Sequence, residues 1–173
     1  MTYACILMDP PWPETGGGGR GAQHHYDVVQ YADIPRVVLS SPEWKPARAF
    51  WCGIWTTKSS LPHALALMGA CGAEYVTTWT WVKESAQGTI RMGMGQYGRH
   101  GVEFILWGRR GMPGKLPTAT KVQADFPAPV GEHSEKPAIA YESAAMVFPG
   151  PRLEMFARGP REGWDVHGNE ARP

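Results

Sequence analysis

A short apolar run that stops abruptly on a charge constrains this chain more than any other feature. Ala4-Cys5-Ile6-Leu7-Met8 has no polar member and is followed at once by Asp9-Pro10-Pro11-Trp12. An uninterrupted apolar run of this length reads as a strand covered on both faces, the habit of parallel sheets. Prolines cannot donate to a ladder, so the strand has to end there, with Asp9 at its carboxyl end. In open α/β sheets that end is where ligands bind.

The rest of the pattern agrees. Residues 49–55, 75–82 and 102–107 read as further strands, 121–126 as a short edge strand, and 152–157 as a final buried one. Between them lie three helical stretches. Asp33 caps the first, with Pro35 in its first turn. Ser59 or Ser60 opens the second, which runs to about Cys71 and stops at Gly72. Ser134 opens the third, with Pro137 in its first turn and Pro149-Gly150-Pro151 after its end near Phe148. Alternation of this kind predicts an α/β fold with a mostly parallel sheet and helices on both faces. At 173 residues and 43% hydrophobic, the chain suits one domain over residues 1–173. The glycine-rich stretch 13–25 and the stretch 84–100 are too long for plain connectors and read as functional loops.

Composition excludes several classes. The three cysteines, Cys5, Cys52 and Cys71, are odd in number and lack Cys-x-x-Cys spacing, so they read as buried thiols in a reducing compartment. No segment approaches the ~20 apolar residues of a membrane span, and no leader precedes the first strand, which predicts a soluble cytosolic protein. Histidines 24, 25, 133 and 167 have no cysteine partners at ligand spacing, so no metal is expected. Gly16 to Gly19 lack the Gly-Lys-Ser/Thr of a phosphate loop and read as a lid. Net charge is only +1. Between residues 88 and 121, however, Arg91, Arg99, Arg109, Arg110, Lys115 and Lys121 face the single acid Glu103. A strip of this sign suits a phosphate backbone, or it is a solvated cationic loop.

The turn Asp9-Pro10-Pro11-Trp12 carries its own chemistry. The exocyclic amine of adenine is a poor nucleophile because its lone pair is delocalised into the ring. Two acceptors on its N–H groups restore density on the attacking face, and the Asp9 carboxylate with the Pro10 carbonyl can supply them. Pro11 stiffens the turn, and Trp12 offers a flat surface on which an extruded base could stack. The alternative is a strand-ending turn with Asp9 as a local cap.

Further strings follow in order: Trp81-Val82-Lys83, Arg99-His100-Gly101-Val102-Glu103, His133-Ser134-Glu135-Lys136-Pro137, Leu153-Glu154-Met155-Phe156-Ala157-Arg158, and Gly168-Asn169-Glu170. Together with the first motif they resemble the DPPW-type adenine N6-methyltransferases, the family of the messenger-RNA adenosine methyltransferase catalytic subunit and of bacterial and phage DNA enzymes. The resemblance implies a Rossmann-like fold dependent on S-adenosylmethionine, with the catalytic motif ahead of the cofactor strand. Residues 152–157 would then be the central cofactor strand. It implies that Asp9, Pro10, Pro11 and Trp12 are catalytic. Asp9 and Lys136 would hold the amine and carboxylate of the methionine moiety. Glu154, Phe156, Arg158, Asn169 and Glu170 would complete the cofactor site, the last three at its ribose. Tyr26 and Glu103 would line the acceptor-base pocket, and the basic strip adds Arg91 and Arg99 as phosphate contacts. Bland alternatives stand beside these: Lys136 as a solvated lysine, Glu103 paired with Arg99, Glu154 as a purely structural group, Asn169 as a turn residue.

The resemblance also implies a homodimer built on the loop with Met92, Met94 and Tyr97. The substrate would be nucleic acid, DNA in preference to RNA, with the base flipped and a short or relaxed target. Family members usually carry an upstream segment that encloses the cofactor's adenine; here Phe156, Trp164 or a partner chain would take that role. An inactive, nucleic-acid-binding partner of an active enzyme is the competing class, disfavoured because both Asp9 and the cofactor residues are present.

Overall fold

The computed structural model describes residues 1–13, 29–93, 97–131 and 135–168. The expectations placed on Gly16 to Gly19, Tyr26, Met94, His133, Ser134, Asn169 and Glu170 lie outside those residues. Seven strands form one sheet: β1 (Tyr3–Met8), β2 (Pro46–Thr56), β3 (Glu74–Glu84), β4 (Val102–Arg110), β5 (Asp125–Pro129), β6 (Arg152–Met155) and β7 (Asp165–His167), in spatial order β5-β3-β4-β2-β1-β6-β7. Only β4 runs against the others; β1 pairs in parallel with β2 and β6, β6 with β7, and β3 with β5. The mostly parallel α/β sheet is therefore as the sequence predicts.

Side-chain alternation divides the core in two. Cys5 and Leu7 of β1, Trp51 and Trp55 of β2, Trp79 and Trp81 of β3, and Ile105 and Trp107 of β4 point to one face. There they meet α3 (Ala138–Val147), whose Ala140, Tyr141, Ala144 and Val147 recur at helical spacing. Alanines on that helix face let its backbone approach a layer of tryptophans. Gly53 makes room for the same layer, since a Cβ there would lie 2.6 Å from the Trp107 ring. The other face carries Ile6, Met8, Phe50, Cys52, Ile54 and Leu106 against α1 (Ile34–Ser40) and α2 (Leu61–Ala70). All three cysteines are buried, unpaired thiols.

Several boundaries differ from expectation, each for a physical reason. The edge strand falls at Asp125–Pro129, and a short 3-10 helix, Pro117–Lys121, occupies part of the expected span. Phe126 and Ala128 face inward while Pro127 and Pro129 take the outward positions, where their missing N–H groups blunt the edge against further pairing. The third helix begins at Ala138, with Pro137 as its N-cap in extended conformation, not at Ser134. Pro137 is extended at ψ 138, so the helix does not continue back through it to Lys136. The strand expected over 152–157 ends at Met155, because Phe156 turns the chain with φ +63. That strand is neither last nor central: β7 follows it and forms the edge beside it, while β2 holds the middle of the sheet. Arg152, at its start, closes α3 by donating to the Ala145 carbonyl at 2.8 Å and to the Phe148 carbonyl at 2.8 and 3.0 Å.

Residues 84–93 and 97–100 make backbone hydrogen bonds of their own. Arg91 N–H returns to the Lys83 carbonyl and Gly93 N–H to the His100 carbonyl, both at 2.8 Å, so the segment folds back as an arm. Among the described residues no helix is long and apolar enough to cross a membrane.

Candidate active site

The tryptophan face ends in charge. Continuing the alternation by two residues from Leu7, Trp81 and Ile105 gives Asp9, Lys83 and Glu103. Because β4 is antiparallel, its first residues lie at the same end of the sheet as the last residues of β1 and β3. Trp81 stands opposite Glu103 in that pairing. Lys136, held extended just ahead of α3, enters the same space.

Lys136 joins the group together. Its Nζ lies 3.0 Å from Asp9 Oδ2 and 3.2 Å from Glu103 Oε2, and 5.4 Å over the Trp55 ring. Lys83 takes the other Glu103 oxygen in a short contact and lies over the Trp81 ring. Lys136, Asp9 and Glu103 keep between 11 and 19% side-chain exposure, so these charges interact at reduced screening. The reading of Lys136 as a solvated lysine does not hold, nor does Glu103 pair with Arg99, whose Nη2 donates to the Met92 carbonyl at 3.1 Å.

The two carboxylates are tuned in opposite directions. Burial pushes the Asp9 carboxyl up; Lys136 and Arg158 counter it only in part while Glu103 reinforces it, so the group sits above its ordinary value. Burial also pushes Glu103 up, but Lys136 and Lys83 outweigh it and hold the group below the usual range. For Lys136 burial favours the neutral amine, and Asp9 and Glu103 override that, keeping it firmly protonated. The arrangement is a proton-hungry carboxylate beside a firmly ionised one, bridged by a fixed cation.

The turn after β1 is built as its prolines require. Asp9 N–H donates to the Met155 carbonyl at 3.3 Å, tying the ends of β1 and β6. Trp12 N–H donates to the Pro10 carbonyl at 2.8 Å, which leaves that oxygen one lone pair for a second donor. Trp12 itself corrects the expectation of an open stacking surface. It is 6% exposed, its Nε1 donates to the Trp55 carbonyl at 2.9 Å, and its ring packs into the core near Tyr31. It braces the turn.

Glu154 points to the same face as Asp9 but is spoken for. Tyr141 Oη donates to its Oε1 at 2.6 Å and Arg161 Nε to its Oε2 at 2.8 Å, while the Arg161 guanidinium lies 3.4 Å from the Tyr141 ring centroid. Its structural reading is the one these contacts favour. Phe156 is half-buried at the end of β6, in a left-handed conformation that costs a bulky residue of order 1 kcal/mol or more. Arg158 is exposed just beyond it. Arg91 and Arg99 lie exposed on the arm. The basic strip does not stay together: β4 carries Arg109 and Arg110 roughly 20 Å from Glu103. Arg110 is consumed there by the Ala47 and Arg48 carbonyls and the Phe50 ring.

Sequence reasoning gave no role to Lys83, Tyr141 or Arg161. Lys83 had a legible signal, a cation at the third inward position of a strand whose previous two are buried tryptophans.

The MT-A70 family model matches residues 3–170. Type II methyltransferase M.MunI of a Mycoplasma species is 31% identical over 192 residues, covering 97% of this chain and 77% of that protein. N6-methyladenosine RNA methyltransferase MTA1 of Cryphonectria parasitica is 28% identical over 183 residues, 97% of this chain and 51% of its own length. Human N(6)-adenine-specific methyltransferase METTL4 is 25% identical over 184 residues, 98% and 37% respectively. With its strand-end aspartate, its lysine bridge and a family match over nearly its whole length, the chain belongs to the MT-A70 family of methyltransferases.

Proposed function

We propose that this chain transfers the methyl group of S-adenosylmethionine to N6 of adenine in DNA, with the base flipped out of the duplex into the space beside Asp9. The observation that carries the reading is the Asp9–Lys136 pair at 3.0 Å, joined to Glu103 at the carboxyl end of the sheet. The donor set suits the cofactor. A low-exposure ammonium on Lys136 matches a carboxylate, and Asp9 matches an amine. Phe156 and Arg158 lie at the end of β6, whose Met155 carbonyl already holds Asp9, and Asn169 and Glu170 are assigned to the ribose. When bound, the cofactor supplies a methyl on a sulfonium, a good leaving group, so alignment and electrostatics supply most of the rate.

The chain's own groups then have separate tasks. Asp9 and the remaining lone pair of the Pro10 carbonyl accept the two N–H groups of the adenine amine. The raised proton affinity of Asp9 suits it to receive the proton that the methylated nitrogen gives up. Glu103, with Tyr26, lines the acceptor pocket, and its ionised oxygens orient the nucleoside. Arg91 and Arg99 meet phosphates. Ile90, Met92 and Tyr97 on the same arm are 62, 44 and 97% exposed, which supports a homodimer across it, with a short or relaxed target read by few side chains. A cytosolic location goes with this reading.

RNA is the second reading, favoured by the match to an RNA methyltransferase. Methyl transfer from labelled cofactor to matched DNA and RNA, followed by digestion to nucleosides, decides between them. N6-methyldeoxyadenosine is the expected product. Label in cytosine, or in neither polymer, would overturn the proposal.

A further inference from the structure

Lys83 touches none of the groups assigned to base or cofactor except Glu103, yet it completes the charge cluster. Among the described residues the charged groups facing Glu103 are Lys83 from β3, Lys136 from the segment ahead of α3, and Asp9 at the end of β1. Lys83 takes Oε1 and Lys136 takes Oε2, each ammonium lying over a tryptophan, at 5.1 Å from Trp81 and 5.4 Å from Trp55. Two cations thus balance two anions. The balance changes if Lys136 serves the cofactor, because a third carboxylate then draws on the one positive charge that Asp9 and Glu103 already share.

We propose that Lys83 is a positioning residue that keeps Glu103 anchored and ionised while Lys136 exchanges its Glu103 contact for the cofactor. The inference rests on the cofactor role given to Lys136 above. Glu103 sits opposite Trp81, and Lys83 is the diagonal neighbour on the same face, within reach of a long side chain across an antiparallel pair. Lysine suits the task better than arginine. A point charge engages one oxygen and leaves Oε2 for Lys136, whereas a guanidinium fork would claim both oxygens. Burial pushes the Glu103 carboxyl up and two lysines hold it down, so withdrawal of one leaves the second to do so alone.

The test follows the Glu103 carboxyl by carbon-detected NMR titration of the whole chain, with and without S-adenosylhomocysteine. In the unaltered protein its midpoint should stay below the ordinary glutamate value in both states. In Lys83→Gln, adding the ligand should raise the midpoint by about one unit, a tenfold change in proton affinity. The acid limb of kcat should move up in parallel, so that kcat on that limb falls about tenfold at a given pH while kcat near neutrality changes far less. The ligand's Kd should stay within about twofold, since the charge removed does not touch the ligand. Lys83→Arg should restore the acid limb.

A midpoint that rises to the ordinary range in the unaltered protein when the ligand binds would overturn the proposal without any variant having to fold. So would a Lys83→Gln protein whose midpoint and acid limb match the parent. Failure of the underlying reading looks different: the Lys136 side-chain resonances would not respond to S-adenosylhomocysteine at all.

Discussion

Two clusters of acids at the same end of the sheet are satisfied in contrasting ways. At the ends of β1 and β4, Asp9 and Glu103 share Lys136, and Glu103 holds Lys83 as well. At the end of β6, Glu154 is fixed by a tyrosine hydroxyl and by an arginine stacked on that tyrosine. Lysines are point charges on flexible stems, and their contacts can be exchanged. A guanidinium flat against an aromatic ring, holding one oxygen while the ring's own hydroxyl holds the other, has little freedom left. Burial pushes the Tyr141 hydroxyl up and Glu154 adds to this, so it stays a donor at any working pH. The first cluster has the freedom that the proposed exchange of partners requires, and the second holds α3 against β6. Position at a strand end and burial do not distinguish them; the chemistry of the counter-groups does.

The most direct way to break this contrast is to exchange each acid for its amide. Asp9→Asn should lower methyl transfer by about a thousandfold or more, the scale of removing a directed electrostatic interaction in a buried site, with the fold unchanged by circular dichroism. An Asn variant retaining a tenth of the activity would remove Asp9 from the chemistry. Glu154→Gln should do the opposite. It leaves Arg161 stacked but without its anion, so stability should fall by about 2 kcal/mol by denaturant titration, while transfer at saturating substrate falls far less. Loss of activity with unchanged stability would move Glu154 from scaffold to site.

The same contrast explains what could be read from the sequence. Asp9 was legible because an apolar run and two prolines mark a strand end without reference to anything distant. Lys136 and Glu103 were legible only through the family's strings, since 33 positions of chain separate them and only the packing of α3 on the sheet brings them together. Lys83 and Glu103 depend on the register of β3 against β4, which the arm between them conceals. The basic strip was misread because a strand carries residues about 3.4 Å apart per step, so neighbours in sequence reach opposite ends of the sheet. Trp12 was misread because residue type alone does not say whether an aromatic ring faces a ligand or the core. The three-residue strand β7 and the proline-bearing edge strand β5 carry too little pattern to mark their limits.

The arginines sharpen the comparison on the surface. Arg91 and Arg99 stand on the arm at the site end, while Arg110 is tied to backbone carbonyls at the far end. Replacing Arg91 and Arg99 together by Ala should flatten the slope of log K against log salt by about two units for DNA binding, one for each phosphate no longer neutralised. Arg110→Ala should leave that slope alone and lower stability, because the start of β2 is then held less firmly. Equal slopes in all three proteins would return the arm to a solvated cationic loop.

The smallest effect concerns protons. Asp9 binds its proton more tightly in the folded chain than its ordinary value of 3.8 allows, chiefly because burial disfavours the charge. A group of that kind contributes stability that is present below its ordinary value and lost as pH rises through its folded one. Glu103, held below 4.5 because Lys136 and Lys83 overcome its burial, contributes stability that is present above that value and lost as pH falls through its folded one. Melting temperatures of the parent, Asp9→Asn and Glu103→Gln should therefore diverge on acidification from about pH 7 to about pH 3, the window that brackets ordinary carboxylates. The parent should gain on Asp9→Asn as pH falls, because only the parent can take up the favoured proton. Its advantage over Glu103→Gln should be largest near neutrality and shrink on the acid side. If the two differences moved in the same direction, the opposite tuning of the two acids would be wrong, and with it the division of labour between a carboxylate that accepts a proton and one that stays charged.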